Sequence, residues 1–365
     1  MNWYTIENID RIDTPCLVLY KDRIKANIDN AIKLIRNVDN LRPHVKTNKI
    51  AEVCRMMMDA GITKFKCATI AEAEMLAIIN AKDVLLAYQP TGPKADRLNL
   101  LARHYPKTAF SCLIDDSEVA SALSKIYSHS GLTLNVFIDV NTGMNRTGIT
   151  PGKVNTLFEK IRTLPSLHIQ GIHVYDGHLK DPDPEKIKEE SGSAFVEIKK
   201  LADHLEMTLE RKIKIIAGGS PTFPAHAERN VECSPGTFVF WDWGYKHQLP
   251  DEPFEYAALV VARVISVVNK TTITADLGHK AVASENPLPR VYFLNAPGSV
   301  PVSHSEEHMV INVPDASKFR PGYVLYGIPV HICPTVSLYD RAILVEDKQA
   351  TTIWRVIARD RVINF

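Results

Sequence analysis

The stretch Arg42-Pro43-His44-Val45-Lys46-Thr47-Asn48-Lys49 decides how the chain is read. Leu41 to Val45 reads as a short strand, and a helical segment is expected from Ile50 to Ala60. Residues two apart on a strand share a face, so His44 and Lys46 point the same way. An amine at the end of a buried strand is partly withdrawn from water. That lowers its pKa toward the nucleophilic range and suits it to a Schiff base with an aldehyde cofactor. The competing reading is a solvated strand-end lysine, and the rest of the chain decides between the two.

At 365 residues the chain fits one large barrel with an appendage, or two domains. A hydrophobic content of 45% and a charged content of 23% are those of an ordinary globular protein. A net charge of +1 provides no basic field, so neither nucleic acid nor an anionic membrane is an expected partner. The N-terminus, Met1 to Asp13, lacks the apolar core of a signal peptide. The longest apolar run, Ala257 to Val268, carries Arg263 and is too short to span a bilayer. Six cysteines are scattered without a CxxC pair, which points to reduced thiols and a cytoplasmic setting.

Outward from the octapeptide, strand-like and helix-like runs alternate. Strands are expected at 41–45, 64–68, 84–87, 109–114, 134–140, 168–174, 214–217 and near 231–233. Helices are expected at 22–36, 50–60, 71–80, 94–104, 117–129, 153–163 and 184–206, with a short one after Pro221. Eight strands with helical crossovers predict parallel pairing and an α/β fold, a (β/α)8 TIM-type barrel. No GxGxxG marks a first strand–helix turn, so an open dinucleotide-binding sheet is the weaker alternative. Beyond Pro250 short strand-like runs follow one another at 257–268, 271–275, 309–313, 323–330, 342–345 and 351–357, predicting an antiparallel β domain. Asn286 to Ser305 is expected to be a loop within it. The domain boundaries expected are 1–20 for an N-terminal segment, 21–250 for the barrel and 251–365 for the β domain.

Barrel enzymes keep their chemistry at the C-terminal ends of the strands. Lys46 ends the first strand. The fifth runs into Asp139–Gly148, a glycine-bearing loop that holds Arg146. The sixth ends in His173-Val174-Tyr175-Asp176-Gly177-His178, and the seventh in Gly218-Gly219-Ser220-Pro221-Thr222 at a helix start. The eighth leads into Ser234-Pro235-Gly236-Thr237. Small residues with hydroxyls at a helix N-terminus suit a phosphate. Any one of these loops alone reads as a turn; five at one end of one barrel do not. In the β domain, Val330-His331-Ile332-Cys333-Pro334 places an imidazole and a thiol two apart. On a strand they would share a face and suit Zn²⁺ with positions left open; a buried histidine beside an inert core cysteine is the other reading.

Together these motifs resemble the fold-type III pyridoxal-phosphate enzymes, in particular the D-threonine aldolase and D-serine dehydratase group related to alanine racemase. The resemblance spans residues 10 to 360. It implies that the N-terminal strand joins the β domain and that the protein is a homodimer acting on a D-amino acid. It implies pyridoxal phosphate on Lys46, with Arg146 near the ring O3′ and Tyr175 by the pyridine nitrogen. Gly218, Gly219, Ser220, Thr222, Gly236 and Thr237 would hold the phosphate, and His331 and Cys333 a divalent metal, zinc before manganese. The acid–base candidates are Lys46, His44, Tyr175 and His178. The group's lysine motif usually reads Lys-Thr-His-Lys, and Asn48 departs from it. Of the activities implied, D-serine dehydration is favoured by His-x-Cys, since the aldolase branch tends to a carboxylate at the second position. D-Threonine aldol cleavage is the alternative; racemization and non-catalytic binding of the cofactor fit the metal motif less well.

Overall fold

The computed structural model describes residues 2–365 and divides into two compact units. One comprises Ala31–Lys46, Cys54–Gly236 and Asp360–Phe365; the other comprises the residues up to Asn30, Thr47–Val53 and Thr237–Arg359. Compactness thus breaks the chain after Asn30, Lys46, Val53, Gly236 and Arg359.

The first unit is built on seven parallel strands, each paired with the next: Lys64–Cys67, Asp83–Leu86, Ala109–Ile114, Leu134–Val140, Leu167–Val174, Lys214–Ala217 and Glu232–Cys233. Helices Ile70–Ile78, Pro93–His104, Ser117–Ser130, Val154–Ile161 and Pro184–Leu209 alternate with them. Local chemistry sets several of their ends. The Thr69, Asp116 and Asp183 side chains accept first-turn N–H groups, and Gly131 closes its helix in the left-handed region. Leu85, Leu113, Phe137 and Ile216, from four different strands, pack together as an apolar cluster.

The expected first strand is the exception. Residues 41–45 form no regular strand, because Pro43 has no N–H to donate to a ladder. They touch each edge of the sheet by one isolated parallel bridge, Leu41 with Cys233 and His44 with Lys66. Arg42 N donates to Cys233 O at 2.8 Å and His44 N to Pro235 O at 2.9 Å. On the other edge Val45 N donates to Lys66 O and Lys66 N to Pro43 O, both at 2.9 Å. The ring therefore closes with seven strands and one bridging segment as its eighth stave.

Arg42 anchors that stave. Its side chain is wholly buried, with Nε 2.7 Å from Glu232 and the guanidinium tip 2.7 and 3.0 Å from the two Asp83 oxygens. Lys64 adds a second cation to Glu232 at 2.7 Å. Burial would raise the Asp83 carboxyl, but the Arg42 charge and hydrogen bonds override it and hold it below the usual carboxylate range.

The second unit is a nine-stranded sheet. Its spine is Ala258–Asn269, which pairs antiparallel with Cys16–Tyr20, Thr272–Ala275 and Val324–Pro329. The N-terminal strand thus joins the β domain, as the resemblance implies. It also pairs parallel with Arg341–Glu346, so the sheet is not wholly antiparallel; the chain between those strands is long enough for the crossover a parallel pair needs. Val291–Phe293 and Val300–His304 are strands inside the stretch expected to be a loop.

Removing Arg42 leaves Asp83 without its bidentate partner and Glu232 with Lys64 alone, a loss that costs on the order of 3–5 kcal/mol. Arg42→Gln should lower the urea-unfolding free energy by about that amount, with the slope on urea unchanged. A loss within about 0.5 kcal/mol would contradict the anchoring role.

Candidate functional site

The barrel unit carries most of the residues singled out from the sequence. Lys46 follows the bridging stave and is exposed, so the withdrawal from water expected for it is not found. The buried lysine is instead Lys66, on the first regular strand. Burial, with the Lys46, Arg42 and Arg146 charges adding to it against Asp139, lowers its amine to about 7. Lys66 Nζ lies 3.2 Å from His173 Nε2, and His173 Nδ1 lies 2.7 Å from Asp139 Oδ1. His44 is buried, and its Nδ1 accepts the Lys46 backbone N–H at 3.4 Å, which fixes the turn carrying the lysine.

Tyr175 stands two residues beyond His173. The Arg146 guanidinium sits 4.7 Å from the Tyr175 ring centroid and Lys66 Nζ 5.8 Å from it. The ring fits only because two neighbours lack a side chain. A Cβ on Gly177 would lie 2.4 Å from the Tyr175 hydroxyl oxygen, and one on Gly219 2.8 Å from its ring. His178 is exposed, and its ring lies over Gly143.

Gly218-Gly219-Ser220 passes into a 3-10 turn, Ser220–Thr222, and then a helix of only five residues, Phe223–Ala227. A helix that short aligns few peptide dipoles, so the loop offers backbone N–H groups more than a dipole. Thr222 does not have its hydroxyl proton to give: Oγ1 donates to Asp176 Oδ1 at 2.7 Å and accepts from Gly219 N at 3.3 Å. Asp176 Oδ2 lies 2.7 Å from His226 Nε2, and Arg229 lies 3.1 Å from His226 Nδ1. Burial would raise Asp176, but its bonds to His226 and Thr222 hold it down. This buried network braces the loop from behind. Next to it, Ser234 N bonds to Gly218 O, while Ser234 Oγ is buried without a hydrogen-bond partner. A phosphate would meet both needs, a glycine-walled approach and an orphaned hydroxyl, so these residues fit the cofactor the resemblance implies.

In the β unit the His331–Cys333 spacing does not lie on a strand. The strand ends at Pro329; His331 is extended and caps the helix Ile332–Leu338, so Cys333 sits in a first helical turn. The two side chains still lie close enough to interact. Burial would lower the His331 imidazole, but Cys333 and Glu285 override it and push it up to about 9. Glu285 Oε1 lies 2.6 Å from His331 Nδ1, which directs Nε2 away as the ligating nitrogen. The Cys333 sulfur lies 3.1 Å from Thr47 Oγ1 and 3.5 Å from Thr237 Oγ1, so Thr237 is turned to the thiol. Among the described residues no three of His, Cys, Asp and Glu gather as a metal cage. One imidazole and one thiol with open positions match a catalytic site for a borderline-soft ion.

Sequence reasoning missed Lys66, Asp139, Asp176, His226 and Glu285. For Lys66 a signal existed, a lysine between Phe65 and Cys67 in a strand buried on both faces.

Residues 19–242 match the family model of the alanine racemase N-terminal domain, and residues 257–345 that of a putative serine dehydratase domain. The D-threonine aldolase of Arthrobacter sp is 27% identical over 96% of this chain and 93% of its own. The D-threo-3-hydroxyaspartate dehydratase of Delftia sp. is 24% identical, with 89% and 92% covered. The crystal structure of D-threonine aldolase from Filomicrobium marinum superposes with a TM-score of 0.88 at 26% identity, over 97% of this chain and 98% of that one. The chain belongs to the alanine racemase N-terminal domain family, among the fold-type III pyridoxal-phosphate enzymes. Pyridoxal phosphate is accordingly its cofactor.

Asp176→Ala should leave Thr222 and His226 unpaired and slacken the glycine loop, loosening pyridoxal phosphate about tenfold, in line with roughly 1–3 kcal/mol for orphaned buried groups. Equilibrium dialysis reads the loss; unchanged retention would remove the network from phosphate binding.

Proposed function

We propose that this member of the family is a pyridoxal-phosphate- and metal-dependent lyase of D-3-hydroxy amino acids, and that its reaction is the dehydration of D-serine to pyruvate and ammonia. The observation that carries the reading is the His331–Cys333 pair, an imidazole and a thiol close enough to interact, with Glu285 2.6 Å from His331 Nδ1. Its support is the family membership and the near full-length similarity to lyases of D-hydroxy amino acids.

When bound, pyridoxal phosphate supplies an electron sink for charge at Cα, and the metal supplies Lewis acidity for a β-hydroxyl that is otherwise a poor leaving group. The chain's own groups do the rest. Gly218, Gly219, Ser220 and Gly236 would hold the phosphate, with Ser234 as an added hydroxyl. Lys46, exposed and with its backbone N–H held by His44, would hold the cofactor, and its amine is the group that would take a proton from Cα. Arg146 and Tyr175, whose ring fits where Gly177 and Gly219 leave room, would hold the cofactor ring. His331 Nε2 and the Cys333 thiolate would hold the metal, and a thiolate ligand would favour Zn²⁺ over Mg²⁺ or Mn²⁺. The homodimer belongs to the same reading, and sedimentation velocity tests it.

D-Threonine aldol cleavage is the second reading, favoured by the relatives of that name. It needs a base on the β-hydroxyl. Asn48, where the group usually has histidine, is an amide that cannot serve as one, and its Oδ1 is taken up by Ile50 N at 3.0 Å. That weighs toward dehydration.

Borohydride treatment of the holoenzyme should fix the cofactor covalently on Lys46; a label on Lys49 would refute the assignment. Chelation, or Cys333→Ala, should remove turnover of D-serine while the protein stays yellow. Full turnover in either preparation would end the metal-dependent reading.

A further inference from the structure

Lys66, His173 and Asp139 lie in the barrel unit outside the set of residues that hold the cofactor in this reading. They come from three different strands: Lys64–Cys67, Leu167–Val174 and Leu134–Val140. In sheet order three strands separate the first from the second, so the 3.2 Å approach of Lys66 Nζ to His173 crosses the barrel interior. All three side chains are buried, at 4%, 3% and 4% exposure. The hydrogen bonds run one way. Asp139 takes the proton on His173 Nδ1, which leaves Nε2 to accept from Lys66.

We propose that Lys66, His173 and Asp139 act as one proton-sharing unit, and that Lys66 is a positioning residue that sets the charge beside the Tyr175 ring and so the electronic state of the pyridoxal phosphate held there. The proposal rests on the reading that Tyr175 and Arg146 hold the cofactor ring. With its proton, taken from solvent, the unit is neutral overall: one cation and one carboxylate. Without it a single negative charge remains inside the barrel. The proton belongs to the coupled pair of Lys66 and His173 more than to either alone.

Every element packed around Lys66 contributes to its balance. Asp139 opposes the burial cost, while Lys46 and Arg42 from the bridging stave and Arg146 from its loop add to it. His173 is held low by its own burial and by Lys66. Asp139 is kept ionized by His173 and Thr147 against its burial. Cys233 faces the group as a thiol that burial keeps protonated. Lys66 is consequently lowered to about 7, so the unit changes charge near neutral pH. The sign is fixed: below that pH the unit is neutral, and above it the unit is an anion that favours positive charge on the cofactor ring.

Absorbance of the holoenzyme, titrated from about pH 5.5 to 9 to span that midpoint, should show an inflection near 7. Lys66→Met combined with His173→Gln leaves only the Asp139 charge and should hold the spectrum in its high-pH form without inflection. Asp139→Asn removes the stabilizing charge and should move the midpoint down by about one unit or more; being nearly isosteric, it carries the test if the double variant does not fold by circular dichroism. Retained inflection in the double variant, or an unmoved midpoint in Asp139→Asn, overturns the proposal. The arm independent of the cofactor is ¹⁵N-histidine NMR of cofactor-free protein, where the His173 Nε2 resonance should respond near pH 7. A response there with a flat holoenzyme titration overturns the link to the cofactor and the placement of its ring. No response in either overturns the proton-sharing unit itself.

Discussion

The barrel depends on one buried cation. Arg42 closes a ring that the backbone alone leaves weakly joined, because the stave it sits on has a proline where a strand would donate. Each edge of the seven-stranded sheet reaches residues 41–45 through a single bridge. Two carboxylates, Glu232 on one edge strand and Asp83 on the strand next to the other edge, meet the same guanidinium. Buried ion pairs are not in themselves strong sources of stability. Here the geometry makes the pair specific, since a planar fork can satisfy two strands at once where a lysine could not. Lys46, to which the proposed reading gives the cofactor, directly follows that stave four residues after Arg42, so what fixes Arg42 also fixes the approach of Lys46.

At the other end of the strands, shape governs chemistry. Tyr175 occupies space that Gly177 and Gly219 leave open, and the Gly218–Thr222 loop keeps its form through Thr222, Asp176 and His226. Hydroxyls that look like phosphate donors in the sequence divide by what they already hold. Thr222 spends its proton on Asp176 and Thr237 turns to the Cys333 sulfur, whereas the Ser234 hydroxyl has no partner. Burial and pairing, not residue type, separate a scaffold hydroxyl from a ligand hydroxyl.

Much of this was legible in the sequence. Alternating apolar runs and helical spacing are local properties, so the barrel, the change of rhythm after Pro250 and the glycine loops at strand ends could be read directly. Val291–Phe293 and Val300–His304 were hidden because prolines and serines around them punctuate the stretch like a loop. The His331–Cys333 pair was placed on a strand because spacing of two is the strand signature; an extended cap followed by a helical turn brings the same two residues together. Lys66 was overlooked because its meaning lies in a partner 107 residues away. A position at the end of a run does not by itself withdraw an amine from water: Lys46 is exposed, whereas Lys66, inside a strand, is buried.

The central claim is that the metal pair serves departure of a β-hydroxyl, not cleavage of the Cα–Cβ bond. D-Threonine can suffer either fate, so the products formed from it by zinc-loaded holoenzyme put the claim to the most direct test. 2-Oxobutyrate with ammonia is the result this account requires. Glycine with acetaldehyde in its place would contradict it and assign the site to aldol cleavage.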